Sequence, residues 1–145
     1  MKAVESVAGI LERELGSTIA EWLRCVNLIP ELANIALTDA DRTGHLPQLF
    51  KDLIARLRLD KDAEPSFSFA AAAHGGMRFA QGYTVSMLVE ESRIFQVSTF
   101  GTLHLHQSTL DHERVLLDVI VIADEADRQL TQSVSSFMAA QHAAA

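Results

Sequence analysis

A glycine at 82 and a threonine at 84 divide two stretches whose apolar residues recur at helical spacing, and this corner constrains the fold more than any other part of the chain. Gly82 stands where a residue in the left-handed conformation ends the first helix. Thr84 stands where its hydroxyl can accept from the free backbone N–H groups that open the next one. The chain therefore reverses, and the two helices share a corner. On the incoming helix His74 and Arg78 share a face, with Gln81 close to it; on the outgoing helix Leu88, Glu91 and Phe95 share one. Glu91 thus falls in a row that otherwise reads as core. An unpaired carboxylate there costs several kcal/mol, and the nearest cations across the corner are Arg78 and, when protonated, His74. The spacing predicts an Arg78–Glu91 ion pair with His74, Gln81 and Tyr83 around it.

The rest of the sequence favours helices. Alanine, leucine and glutamate dominate, while seven glycines, three prolines and one tyrosine in 145 residues argue against a loop-rich or β-rich chain. No strand-period alternation runs far enough to insist on a sheet. The expected fold class is an all-α bundle of about five helices with a long C-terminal helix, filling one domain over residues 1–145. A net charge of −7 opposes nucleic-acid binding and attachment to an anionic membrane. Cys25 is alone, so no internal disulfide and no cysteine zinc site is expected. No apolar run reaches the roughly 18–20 residues that span a bilayer. Glutamates at 5, 12 and 14 interrupt the N-terminal apolar residues, which does not suit a signal peptide, and a cytoplasmic location is expected.

Taken in order, Val4, Val7, Leu11, Leu15, Ile19, Trp22 and Val26 predict one helix from Lys2 to Asn27, with Gly16 as a bend and Trp22 in the core. Pro30 opens a short helix, Glu31 to Leu37. Asp39 can cap a further helix that carries Leu46, Phe50, Leu53 and Leu57 inward, although Pro47 moves its regular part to about His45. Asp60 to Pro65 reads as a loop. A helix over Ser66–Gln81 follows, with an alanine run at 70–73 that allows close helix approach. The next helix runs from Thr84 to about Gln107. The last, from Thr109 or Leu110 to about Phe137, carries Leu116, Val119, Ala123, Ala126, Leu130, Val134 and Phe137 in a near-heptad row.

Six histidines raise metal and haem chemistry, and the spacing speaks against zinc. His104 and His106 fall on different sides of a helix, and His112-Glu113 has Leu116 where a zinc-protease motif needs its second histidine. His74 beside Gly75-Gly76 could serve as an axial haem ligand, but a hydrogen-bonded structural histidine is the commoner case. Leu110-Asp111-His112-Glu113-Arg114 is faintly similar to the phosphoacceptor box of histidine kinases, without the proline that follows it there. No nucleophile elbow and no phosphate-binding glycine loop occurs, so neither an enzyme nor a cofactor is expected.

His74, Arg78, Gly82-Tyr83, Leu88-Val89, Glu91 and Arg93 together resemble the pattern H-x3-R-x3-G-aromatic followed by L-V-x-E-x-R. That pattern belongs to the helical N-terminal domain of RsbRD-type stress-signalling co-antagonists, which also precedes the catalytic core of many bacterial sensor histidine kinases. Ser92 and Gln96 depart from it, standing where such sequences carry an aromatic residue and an arginine. The resemblance implies a non-catalytic sensory or regulatory domain, distantly globin-like but without haem, with His74, Arg78, Gln81, Tyr83 and Glu91 as ligand or regulatory candidates. It implies that residues 110–145 form an output helix leading into a further kinase or regulatory domain, and that this helix mediates a homodimer. Two other readings compete: a globin-like sensor binding haem or another small ligand, and a stand-alone adaptor whose acidic surface binds a partner protein.

Overall fold

The structure, a computed structural model, describes residues 3–60 and 62–145. Among them every regular element is helical, and an isolated bridge between Glu5 and Leu110 is the one strand-like contact. Five helices have twelve residues or more: α2 (Leu15–Val26), α5 (Leu46–Leu57), α6 (Phe69–Ala80), α7 (Val85–Leu105) and α8 (Val115–Ala144). Three shorter ones complete the chain: α1 (Val7–Arg13), α3 (Pro30–Ala33) and α4 (Asp39–Thr43). The all-α bundle with a long last helix is therefore what the sequence specifies.

The N-terminal segment differs from its expected form. Lys2 lies outside the described residues, and helix begins only after Ser6, whose hydroxyl accepts the Gly9 N–H at 3.0 Å. Glu5 instead donates its backbone N–H to the Thr109 carbonyl at 2.7 Å, which ties this segment to the α7–α8 connection and leaves Val4 70% exposed. The helix then breaks at Glu14, not at Gly16. The break divides the apolar stripe. Ile10 and Leu11 enter the core from α1, and Trp22 and Val26 enter it from α2.

Pro30 opens α3 as expected, but the helix stops at Ala33. Thr38 caps α4 in place of Asp39, and Gly44, at φ +44°, ends it before α5 starts with Pro47 in its first turn. The corner at residues 80–85 forms as its spacing dictates. Gly82 takes φ +88°, and the Thr84 hydroxyl accepts the Met87 N–H at 3.3 Å.

Because α7 reverses α6 and α8 reverses α7, α6 and α8 run in the same sense and cross. Their crossing point is Gly75: a Cβ built there falls 1.9 Å from the Ser133 carbonyl oxygen. The Ser133 hydroxyl donates to the Ala71 carbonyl at 2.8 Å beside it. One glycine, more than the alanine run before it, sets the distance between these helices. At the centre Phe50 of α5 stacks on Phe95 of α7 at 4.4 Å.

Helix α8 starts at Val115, later than expected. Leu110 is drawn into the core and Asp111 accepts the Glu113 N–H at 3.1 Å, so the intervening residues turn instead of extending the helix. Its inward face matches the near-heptad row in part. Ala126 and Phe137 of that row are buried and Leu130 and Val134 pack against the core, but Leu116 is 72% exposed, and Ile122, Glu125, Gln129 and Ser133 are buried beside them.

Two neighbouring glycines separate the crossing constraint from ordinary helix propensity. Gly75→Ala is expected to lower stability by about 2 kcal/mol or more, because α6 and α8 must separate to admit the methyl group. Gly76→Ala meets nothing within 4 Å and is expected to raise stability by up to about 1 kcal/mol. Urea midpoints of the two variants check the contrast.

Candidate functional site

Two buried arginines connect the short helices to the long ones. Arg42, in α4, donates from Nη1 to the Leu32 carbonyl at 2.8 Å and from Nη2 to the Ile35 carbonyl at 2.5 Å. These carbonyls lie at and just past the end of α3, where the Leu32 carbonyl also accepts the Ile35 N–H at 3.2 Å. Arg78, in α6, does the same for α4, donating to the Arg42 carbonyl from Nη2 and to the Asp41 carbonyl from Nη1 at 3.3 Å. Cationic donors at a helix C-terminus also meet its negative dipole end. Helices this short are marginal by themselves, so α3 and α4 depend on these side chains.

Arg78 turns its remaining donors to the corner. Nε and Nη2 grip the two oxygens of Glu91 at 3.1 and 2.9 Å, and Nη1 donates to Gln81 Oε1 at 2.7 Å. Its five N–H groups thus have five acceptors. Its guanidinium carbon also lies 4.6 Å from the centre of the Tyr83 ring. Glu91 is equally saturated. Besides Arg78 it accepts from His74 Nε2 at 3.1 Å and from the Tyr83 hydroxyl at 2.9 Å, and its own backbone carbonyl receives the Trp22 indole N–H at 3.3 Å. The structure therefore brings together His74, Arg78, Gln81, Tyr83 and Glu91, the five residues singled out in the sequence.

Electrostatics follow from this packing. Burial pushes the Glu91 carboxyl up, but the hydrogen bond and charge of His74 together with the charge and hydrogen bonds of Arg78 outweigh it and hold the group below the usual carboxylate range. Burial, with the neighbouring Glu91 charge, pushes the Tyr83 hydroxyl up to about 12. His45, whose ring meets that of His74 edge-on at 5.8 Å, is held below the usual imidazole value by burial and by the positive charges of His74 and Arg78.

Behind the clamp lies a cavity of about 40 Å3, bordered on one side by His74 and Glu91 and on the other by Gln129, Leu130 and Ser133 of α8. Its remaining walls, which include Trp22, Leu49 and Phe95, are apolar except for Ser92. On the far side α8 carries a second polar group. Glu125 accepts from Arg56 at 3.2 Å and from Gln129 at 3.0 Å, Gln129 also donates to the Leu49 carbonyl at 3.1 Å, and Arg56 reaches Asp124 at 2.8 Å. Here burial dominates and pushes the Glu125 carboxyl up in spite of its partners. The cavity beside His74 has no room for a macrocycle, and His74 Nε2 is committed to Glu91. No group of three metal-ligating side chains forms among the described residues.

No protein-family model, curated protein or solved structure matches the chain. Its residues must carry the functional argument by themselves.

Sequence reasoning missed Arg42, His45, Arg56, Glu125 and Gln129. Arg42 sits in the charged run Asp39-Ala40-Asp41-Arg42, which reads as solvated. Glu125, Gln129 and Ser133 did leave a trace, a polar row at four-residue intervals inside an apolar helix, of the same kind that marked Glu91.

The two buried carboxylates respond differently to neutralisation. Glu91→Gln leaves Arg78 buried without its counter-ion and is expected to cost about 3 kcal/mol or more. Glu125→Gln is expected to stay within about 1 kcal/mol, since Arg56 keeps Asp124. Chemical denaturation across pH checks the signs. The lowered Glu91 value stabilises the fold fully above about 4.5, and that contribution is lost as pH falls through the folded-state value. His45 adds an earlier loss starting below about 6.5, because its ring must take up a proton that the folded state resists. Glu125 acts oppositely: its raised value costs stability as pH rises through it, so Glu125→Gln is expected to flatten the neutral-pH side of the profile.

Proposed function

We propose that this chain is a non-catalytic sensory or regulatory domain of a bacterial signal-transduction protein, of the kind found in RsbRD-type co-antagonists and ahead of sensor histidine kinase cores. One observation carries the reading. The clamp at the α6–α7 corner and the polar row of α8 face each other across a small cavity, so a change at His74 or Glu91 alters what α8 packs against. Packed cores respond to such a change by shifting or rotating a helix, because they are bistable and not continuously deformable. Helix α8 is the element suited to carry the shift onward. At 1.5 Å per residue its 30 residues extend about 45 Å, and after Phe137 nearly all of its residues are exposed.

The N-terminal half of α8 supports a homodimer as the unit on which the signal acts. Leu116, Leu117 and Ile120 are 72%, 48% and 59% exposed. Exposed apolar residues of this size on one helix form the kind of surface that a second copy covers.

Two measurements test these points. His74→Ala removes one of the donors to Glu91 and leaves Arg78 and Tyr83 in place, so the fold persists. Hydrogen exchange is then expected to accelerate at Gln129–Ser133 of α8, and a change confined to α6 and α7 contradicts the reading. Size-exclusion with light scattering is expected to give a dimer that Ile120→Glu converts to monomer; a monomer at high wild-type concentration contradicts the dimer.

A further inference from the structure

The clamp has a second, outward side. There the α4–α5 turn and α6 enclose a cleft of about 280 Å3 lined by His45, His74, Arg78 and Gln81, with Asp41 and Met77 among its other walls. We propose that this cleft is the input site of the domain and binds a small monoanionic carboxylate between the imidazoles of His45 and His74. The binding stands on the geometry of the cleft; only its consequence for α8 rests on the function proposed above.

Hydrogen-bond capacity is the first argument. The two rings meet edge-on at 5.8 Å. His74 is buried and uses Nε2 for Glu91, while no group among the described residues pairs with its Nδ1. The His45 side chain makes no hydrogen bond to any described residue, although its ring is half-buried. Both imidazoles keep an uncommitted nitrogen on the cleft, and with His74 protonated both can donate to the same carboxylate.

Charge selects the class of ligand. With His74 protonated, the cluster has three cations, Arg42, Arg78 and His74, against two carboxylates, Glu91 and the Asp41 on the cleft wall, so one positive charge is in excess. All five Arg78 N–H groups are committed, so it contributes its field and no further bonds. His45 stands at the N-cap of α5, where no side chain caps the first turn, which adds a positive dipole end at the same place. One unit of excess charge suits a monoanion. A phosphate dianion brings more charge than the cluster neutralises and meets the exposed Asp41 as well. The cleft is just below the usual range of about 300–1,000 Å3 for ligand pockets, which fits an acid of a few carbons.

Position gives the site its consequence. His74 borders both this outer cleft and the inner cavity that α8 lines, so a ligand bound at Nδ1 acts on the residue whose Nε2 holds Glu91.

Titration of the whole chain with acetate, followed by the nitrogen resonances of its histidines at constant ionic strength, tests the proposal. Acetate is expected to shift His45 and His74 saturably and to leave the exposed His104, His112 and His142 unmoved. Inorganic phosphate is expected to bind at least about tenfold more weakly, a difference of about 1.4 kcal/mol. His45→Ala removes no hydrogen bond, so the variant folds, and it is expected to weaken acetate binding by at least about tenfold. Absence of saturation, equal shifts at the exposed histidines, phosphate binding as well as acetate, or unchanged affinity in His45→Ala each overturns the site. Saturable binding with unaltered hydrogen exchange at Gln129–Ser133 supports the site and overturns the sensory reading instead.

Discussion

Glu91 is the group on which the rest of the structure depends. It is a carboxylate with 4% of its surface exposed, and both its oxygens are filled by Arg78, His74 and Tyr83. A buried charge so placed has two admissible states: fully paired, or strongly destabilising. The pairing therefore fixes more than one contact. Arg78 cannot hold Glu91 in this geometry without also delivering its other N–H groups to the end of α4, and α4 in turn supplies Arg42 to the end of α3. Two elements too short to persist by propensity, α3 and α4, become a single rigid flank because one carboxylate orients one guanidinium.

The opposite flank is organised by shape. Where α6 crosses α8 there is space for a hydrogen and none for a methyl group, so Gly75 sets how closely the two backbones approach. Around that contact α8 buries Glu125, Gln129 and Ser133 on the face where a bundle helix ordinarily buries leucine. Each has a partner on a different helix or on α8 itself: Arg56 and the Leu49 carbonyl from α5, the Ala71 carbonyl from α6. A face made of directional bonds has fewer acceptable registers than a greasy one. It specifies where α8 sits at some cost in stability, since burial of Glu125 is only partly offset.

This division explains what could be read from the sequence. The α6–α7 corner is local. Gly82, Thr84 and the spacing from His74 to Glu91 lie within about twenty residues, and a charge in a core row announces that it needs a partner nearby. The bundle class follows from composition and periodicity in the same way. What escaped is what depends on distant parts of the chain. Ser6 starts α1 because Glu5 is diverted to Thr109, more than a hundred residues away in sequence. Arg42 looks solvated until Leu32 and Ile35 present their carbonyls to it. The inward face of α8 is set by α5 and α6 together, so a near-heptad row read from α8 alone picked Leu116, which faces out. Periodicity shows that a helix has a face; the neighbours decide which face it is.

The two flanks meet at the cavity, and there a fully bonded structure keeps some freedom. Elsewhere the clamp has no slack: every donor of Arg78 and both oxygens of Glu91 are used. A group in such a network moves only when another takes its place, and it needs space into which to move. The space beside His74 and Glu91, about 40 Å3, is of the order of one or two water molecules. That is enough for a ring to turn or a carboxylate to shift by part of a bond length, and too little for the core to collapse. Because Gln129 and Ser133 form the opposite wall, the same small volume is shared by the strongest electrostatic interaction in the fold and by the helix that leaves it. A displacement on either side changes the space that the other side lines.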